Sequence, residues 1–252
     1  MQKLLIRADD LGYSEGVNYG IAKSVIDGLI GSVGIMTNMP AIEHGLKLLE
    51  GIEVCLGQHT NICIGKPLTD PSLIPSITNE NGEFKASKEY REAKDDFVVL
   101  EEVILEIEAQ YERFIELTGH QPSYFEGHAI ASDNFFKGLE LVAQKYNLKY
   151  SPYSLGGFIP INGKQVEISM DAMKPNYDPF EALKNFVEQR STVNTNDNYL
   201  MFICHPGYLD GYILKNSSLT IPRALEVDML CDPATLQWLQ EKGVELITYH
   251  DL

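Results

Sequence analysis

The chain lacks any apolar run near the 18 or so residues that a membrane-crossing helix needs. Its opening, Met1-Gln2-Lys3-Leu4-Leu5-Ile6-Arg7, is too short an apolar stretch for a secretory signal and runs straight into acid. Cysteine is sparse. Cys55, Cys63, Cys204 and Cys231 form neither a Cys-x-x-Cys motif nor a paired-disulfide pattern, so they read as reduced thiols of a cytoplasmic protein. Positive charge is short as well: 20 Lys and Arg against 36 Asp and Glu leave a net charge of −16, which argues against a nucleic-acid or anionic-membrane partner. No internal repeat or low-complexity linker divides the chain. Its 252 residues suit one (β/α) barrel domain spanning 1–252.

What is present is an alternation. Apolar, β-rich runs recur at Lys3–Ala8, Ser32–Thr37, Glu53–His59, Ser123–His128, Leu148–Pro152, Tyr199–His205 and Val244–Tyr249. Between most of them lie helically spaced segments. Val17, Ile21 and Val25 share a face, with Gly28 as the stop; Leu46 and Leu49 mark a short helix before Gly51. A long helix is predicted over Ser87 to Leu117, carrying Phe97, Leu100, Ile104, Ile107, Tyr111 and Phe114 on one stripe. Asp133 should cap the next helix, Asp178-Pro179 another, and Asp232-Pro233 the last, which Gly243 ends. Strands alternating with helices imply parallel βαβ units. About seven of them favour a single-domain α/β fold, a closed or nearly closed (β/α) barrel of TIM-like type. Three long connections, Gly65–Phe84, Tyr153–Pro175 and Pro206–Ile221, are rich in Gly, Pro, Asn or Ser and read as lids or binding walls.

The carboxyl ends of barrel strands form the catalytic face. Asp9 and Asp10 end the first run; Gly57-Gln58-His59-Thr60-Asn61, Phe125-Glu126-Gly127-His128 and Cys204-His205-Pro206-Gly207 end later ones. One Asp and two His from separate strands can surround a divalent cation and leave positions open for water and substrate. The remaining Asp and His would then carry protons. His44, His120 and His250 read as hydrogen-bonded structural histidines. Gly12, Gly16 and Gly20 repeat every fourth residue, which is no dinucleotide fingerprint; they allow a tight turn and close helix packing. Arg223, just after Pro222, either holds an acidic group or sits in a surface ion pair.

These residues resemble a known family. Asp9-Asp10-Leu11-Gly12-Tyr13-Ser14, Gly16-Val17-Asn18-Tyr19-Gly20-Ile21, Met36-Thr37-Asn38-Met39-Pro40, Gly57-Gln58-His59-Thr60-Asn61 and Cys204-His205-Pro206-Gly207-Tyr208 look like the YdjC-type carbohydrate deacetylases, which include the chitooligosaccharide (diacetylchitobiose) deacetylases. The likeness runs nearly end to end, through Arg223 and Glu226. It implies a distorted (β/α) barrel related to polysaccharide deacetylases and a divalent metal, Mg²⁺ or Zn²⁺. By position it implies Asp10, His59 and His128 as metal ligands, Asp9 as general base and His205 as proton donor. One departure stands out. Where the family often has Asp-Gly-His-x-His-x-His, this chain has Glu126-Gly127-His128-Ala129-Ile130-Ala131-Ser132.

The expected reaction is metal-dependent removal of N-acetyl groups from small amino-sugar oligosaccharides such as diacetylchitobiose, phosphorylated or not. Tyr13, Asn38, Asn61, Tyr208 and Arg223 are candidates to bind the sugar. The expected partner is the oligosaccharide, with a homodimer as the one assembly entertained. Two other readings compete: a non-catalytic sugar-binding or sensor protein, and a phosphosugar or glycosidic hydrolase. A glycosidase needs two carboxyls on opposite faces of the bond, at least roughly 5 Å apart, and adjacent strand residues fit that poorly.

Overall fold

The first strand, β1 (Gln2–Leu11), is buried along nearly its whole length, as a central strand covered on both faces must be. The computed structural model describes residues 2–191 and 199–252. After β1 come α1 (Glu15–Ile26), β2 (Ser32–Ile35), α2 (Ile42–Leu48), β3 (Cys55–Thr60), α3 (Ser87–Glu92), α4 (Leu100–Thr118), β4 (Phe125–Gly127) and α5 (Asp133–Tyr146). The chain continues through β5 (Gly156–Ile161), β6 (Lys164–Ser169), α6 (Pro179–Ser191), β7 (Tyr199–Cys204), α7 (Gly211–Asn216), α8 (Ile221–Cys231), α9 (Pro233–Glu241) and β8 (Val244–Ile247). The class is the α/β one expected from the alternation, a distorted, part-closed barrel sheet of mainly parallel strands.

Two compact units share the chain: Met1–Gly34 with Ala41–Cys55 and Ser154–Leu252, and Ile35–Pro40 with Leu56–Tyr153. In the first, β1 pairs in parallel with β7, from Lys3 opposite Tyr199 to Ala8 opposite Cys204. It pairs with β8 as well, from Gln2 opposite Val244 to Leu5 opposite Ile247. The register fixes a consequence. One step beyond the Ala8–Cys204 pair, Asp9 and His205 leave neighbouring strands at the same level. In the second unit β3 and β4 pair in parallel, with His59 opposite Glu126. Its core gathers Ile62, Ile107, Tyr111, Phe125, Phe135 and Leu139, all nearly or fully buried.

Several expectations need correction. The single long helix is two, because the chain leaves α3 at Ala93 and re-enters helix only at Leu100. The break lets Asp96 turn away and accept hydrogen bonds from the Ser132 hydroxyl at 2.9 Å and from Asn134 N–H at 3.0 Å. That same Ser132, not Asp133, caps α5, its hydroxyl accepting from Phe135 N–H. Leu148–Pro152 makes no named strand, only an isolated bridge from Tyr150 to Phe125. The stretch from Tyr153 to Pro175 is not one long loop. It contains the antiparallel β5–β6 hairpin, which alternation weakened by Gly156 and Gly157 had hidden. The stretch from Pro206 to Ile221 likewise contains α7. Asp178 and Asp232 do cap their helices, accepting from Phe180 N–H and from Ala234 N–H.

Candidate active site

The paired acids of β1 are held apart by different cations. Side chains alternate along a strand, so Arg7 and Asp9 share a face. The Arg7 guanidinium donates to Asp9 Oδ2 at 2.7 Å and to the Tyr249 hydroxyl at 2.9 Å. Asp9 Oδ1 is buried and has no hydrogen-bond partner among the described residues. Asp10 lies in the left-handed region, φ +81°, a conformation that short polar side chains tolerate best. Its Oδ2 accepts from Arg223 Nη2 at 2.7 Å. Both pairs are almost entirely buried, so deleting either arginine would strand a charge at a cost of about 3–5 kcal/mol.

His205 follows at the end of β7. Its backbone N–H donates to Glu226 Oε2 at 2.6 Å, and its carbonyl accepts from Arg223 Nη1 at 3.3 Å. Glu226 is fully buried, and that burial pushes its carboxyl up to about 7. Burial also raises the neighbouring Cys204 thiol well above its ordinary range, which disfavours its thiolate. Gly20 of α1 is needed for packing: a Cβ added there would collide with the Gly207 backbone after β7, the close helix packing that the glycine spacing implied. Gly12, at φ +101°, supplies the turn.

In the other unit the imidazoles are organised by the β3–β4 register. Glu126 pairs with His59 Nδ1. His59 Nε2 lies 2.8 Å from His128 Nδ1, and the rings meet edge to face. A carboxylate on the far nitrogen of a metal-binding histidine fixes its tautomer and raises its basicity. His128 N–H donates to the Thr60 carbonyl at 2.8 Å, and Ala129 beyond it sits at φ +58°. Aspartate and imidazole are the donors that hard and borderline divalent cations take. Asp10, His59 and His128 each offer one ligand atom of that kind.

A family model described as YdjC-like protein matches residues 3–241. The chain belongs to the YdjC-like family. It is 32% identical over 259 residues to "Carbohydrate deacetylase 2" of Listeria innocua, covering 99% of this chain and 98% of that one. It is 27% identical over 261 residues to a chitooligosaccharide deacetylase of Klebsiella pneumoniae, covering 99% and 98%. Among solved structures, a cellobiose-phosphate cleavage protein candidate of Enterococcus faecalis shares the fold at a TM-score of 0.84 and 22% identity, over 99% of this chain and 98% of that one. A mutant of a CE4 family pseudoenzyme with restored activity is similar in fold at a TM-score of 0.53 and 8% identity, over 100% of this chain and 67% of that one.

The sugar-binding candidates of this YdjC-like protein are placed differently from one another. Tyr208 is 38% exposed. Tyr13 is buried, donates to the Asn216 carbonyl at 3.3 Å, and lies under the Arg223 guanidinium. Asn61 is buried and spends its amide on Asn38 Oδ1 at 3.1 Å and on the Ile64 carbonyl at 2.8 Å. Asn38 donates in turn to the Lys66 carbonyl at 3.0 Å. Arg223 is 2% exposed and bonded to Asp10, His205 and Leu219. Tyr13, Asn38, Asn61 and Arg223 therefore commit these groups to contacts within the protein, which leaves Tyr208 as the surface-exposed aromatic of the set.

Sequence reasoning missed Arg7, Glu126 and Tyr177 as site residues and gave Glu226 no role. The Arg7-x-Asp9 spacing carried a signal, since period two puts the pair on one face. Tyr177 carried none, because its hydroxyl reaches Glu226 Oε1 at 2.9 Å across 49 positions of sequence.

Proposed function

We propose that this chain removes N-acetyl groups from small amino-sugar oligosaccharides such as diacetylchitobiose, with a divalent metal, and that residues 1–252 act as one catalytic domain. Family membership over residues 3–241 and relatives named carbohydrate deacetylases support the coarser part. The chain is a carbohydrate deacetylase, a hydrolase of amide C–N bonds. The observation that carries the finer reading is Asp9, whose one oxygen is fixed by Arg7 while the other is buried without a hydrogen-bond partner among the described residues.

The donor chemistry of Asp10, His59 and His128 fits Mg²⁺ or Zn²⁺, and these residues would hold it; bound there, it would supply Lewis-acid polarisation of the acetamide carbonyl and a lowered pKa for water. Asp9 takes the proton of the attacking water through Oδ1, and Arg7 holds the other oxygen and keeps the carboxylate aimed. Glu126 holds His59 in a single tautomer. His205, level with Asp9 at the end of the neighbouring strand, protonates the departing amine, because an amide does not readily expel an unprotonated nitrogen. Tyr208 offers its ring to the sugar.

The test is acetate release from N-acetylglucosamine oligomers and their phosphates. Release from the disaccharide and short oligomers is expected. A flat result across the panel would sink the deacetylase reading of this member.

A further inference from the structure

The segment after β7 is held from one helix. Arg223 and Glu226 stand three residues apart on α8, and so on one side of it. Glu226 Oε2 takes the His205 N–H at 2.6 Å, Arg223 Nη1 reaches the His205 carbonyl at 3.3 Å, and the Arg223 carbonyl takes the Gly207 N–H at 3.2 Å. Pro206 between them has no N–H to hold. With Nη2 the same guanidinium grips Asp10 Oδ2 at 2.7 Å, and with Nε the Leu219 carbonyl at 3.0 Å. Tyr177 closes the arrangement by donating to Glu226 Oε1 at 2.9 Å. Arg223 is 2% exposed and Glu226 0%. Neither is spare surface charge. Burying an arginine and a glutamate is costly unless every charge has partners, and here those partners include Asp10 and both backbone groups of His205.

We infer that Arg223 and Glu226 are positioning residues that fix Asp10 and His205 relative to each other through α8. This rests on the deacetylase reading above. Asp10, in a left-handed conformation at the strand's end, depends on a side-chain anchor, and Arg223 provides it. His205 cannot drift along the strand axis without breaking the bonds to its N–H and its carbonyl, which lie on the two peptide units that flank its Cα. Arg223 thus acts through Asp10 and His205 and does not touch the sugar.

The experiment compares Glu226→Ala, Glu226→Gln, Arg223→Lys and the wild-type chain. Glu226→Ala should lower kcat about 10²-fold, the loss expected of a catalytic group displaced by about 1 Å, with KM little changed. Glu226→Gln should recover most of that loss, since an amide oxygen still accepts from the His205 N–H. Arg223→Lys should weaken Mn²⁺ binding, read by calorimetry without substrate, by about 10-fold or more, because lysine cannot hold Asp10 and the His205 carbonyl at once.

A separate readout covers a Glu226→Ala chain that fails to fold. In the wild type the His205 amide proton should resonate far downfield, as a bond to a carboxylate requires, and Glu226→Gln should move it upfield. Equal kcat loss in a folded Glu226→Ala and in Glu226→Gln, an unmoved His205 amide, or unchanged Mn²⁺ affinity in Arg223→Lys would overturn the inference. If the wild-type chain releases no acetate, the deacetylase reading falls, while the amide resonance and the Mn²⁺ affinity still decide the positioning claim.

Discussion

The two compact units anchor their chemistry in opposite ways. In the unit built on β1, acids are held by arginines: Asp9 by Arg7 and Asp10 by Arg223, both within the buried interior. In the unit built on β3 and β4, bases are held by an acid, with Glu126 on His59 and His59 against His128. A carboxylate pinned by a guanidinium is held in a fixed orientation. An imidazole pinned by a carboxylate becomes a better electron-pair donor. On the proposed mechanism the difference divides the labour: proton transfer falls to the first unit and ligand strength to the second.

The contrast can be broken at several points. Asp9→Asn keeps the shape of the side chain and removes its basicity, so kcat for acetate release should fall by about 10²–10⁴. Wild-type turnover in that variant would refute the assigned base. Glu126→Gln leaves a hydrogen-bond acceptor but withdraws the charge behind His59, so calorimetry should find metal affinity reduced about 10–100-fold. An unchanged affinity would mean that the His59–Glu126 pair serves folding alone. The smallest effect concerns stability. Burial lifts Glu226 from a glutamate's ordinary 4.5 to about 7, so the folded chain keeps this proton where the unfolded chain has lost it. That contribution is fully present below pH 4.5, declines as pH rises to about 7, and is flat above. Thermal unfolding of Glu226→Gln should therefore lose several degrees of the pH dependence seen in wild type over that window, at about 2–4 °C per kcal/mol for a chain this long. Parallel melting curves would remove Glu226 as the titrating group.

Much of this was legible in the residues themselves. Asp9-Asp10, His59, His128 and His205 stood out because each ends a strand-like run, and strand ends are where such folds place chemistry. The caps at Asp178 and Asp232 were readable from Asp-Pro alone. What stayed hidden was set by contacts between residues distant in sequence. Nothing local says that Arg223, near the end of the chain, reaches back to Asp10, or that Tyr177 donates to Glu226. The break between α3 and α4 was invisible because the apolar stripe runs through it without interruption. The departures at Ile130 and Ser132 also acquire a meaning that the sequence withheld. Ile130 is buried in the core of its unit, and Ser132 caps α5 while holding Asp96. Both positions do structural work here, and His128 is the member of that motif that the proposed metal site uses.

A single titration bears most directly on the central claim that Asp9 and His205 work beside a metal held by Asp10, His59 and His128. Acetate released from diacetylchitobiose would be followed as the chelator-stripped chain is reloaded with Mg²⁺ or Zn²⁺, in wild type and in His59→Ala. The account expects no release from the stripped chain, recovery in proportion to metal bound, and none in His59→Ala at any concentration. Full activity in the stripped chain, or recovery in His59→Ala equal to wild type, would contradict it.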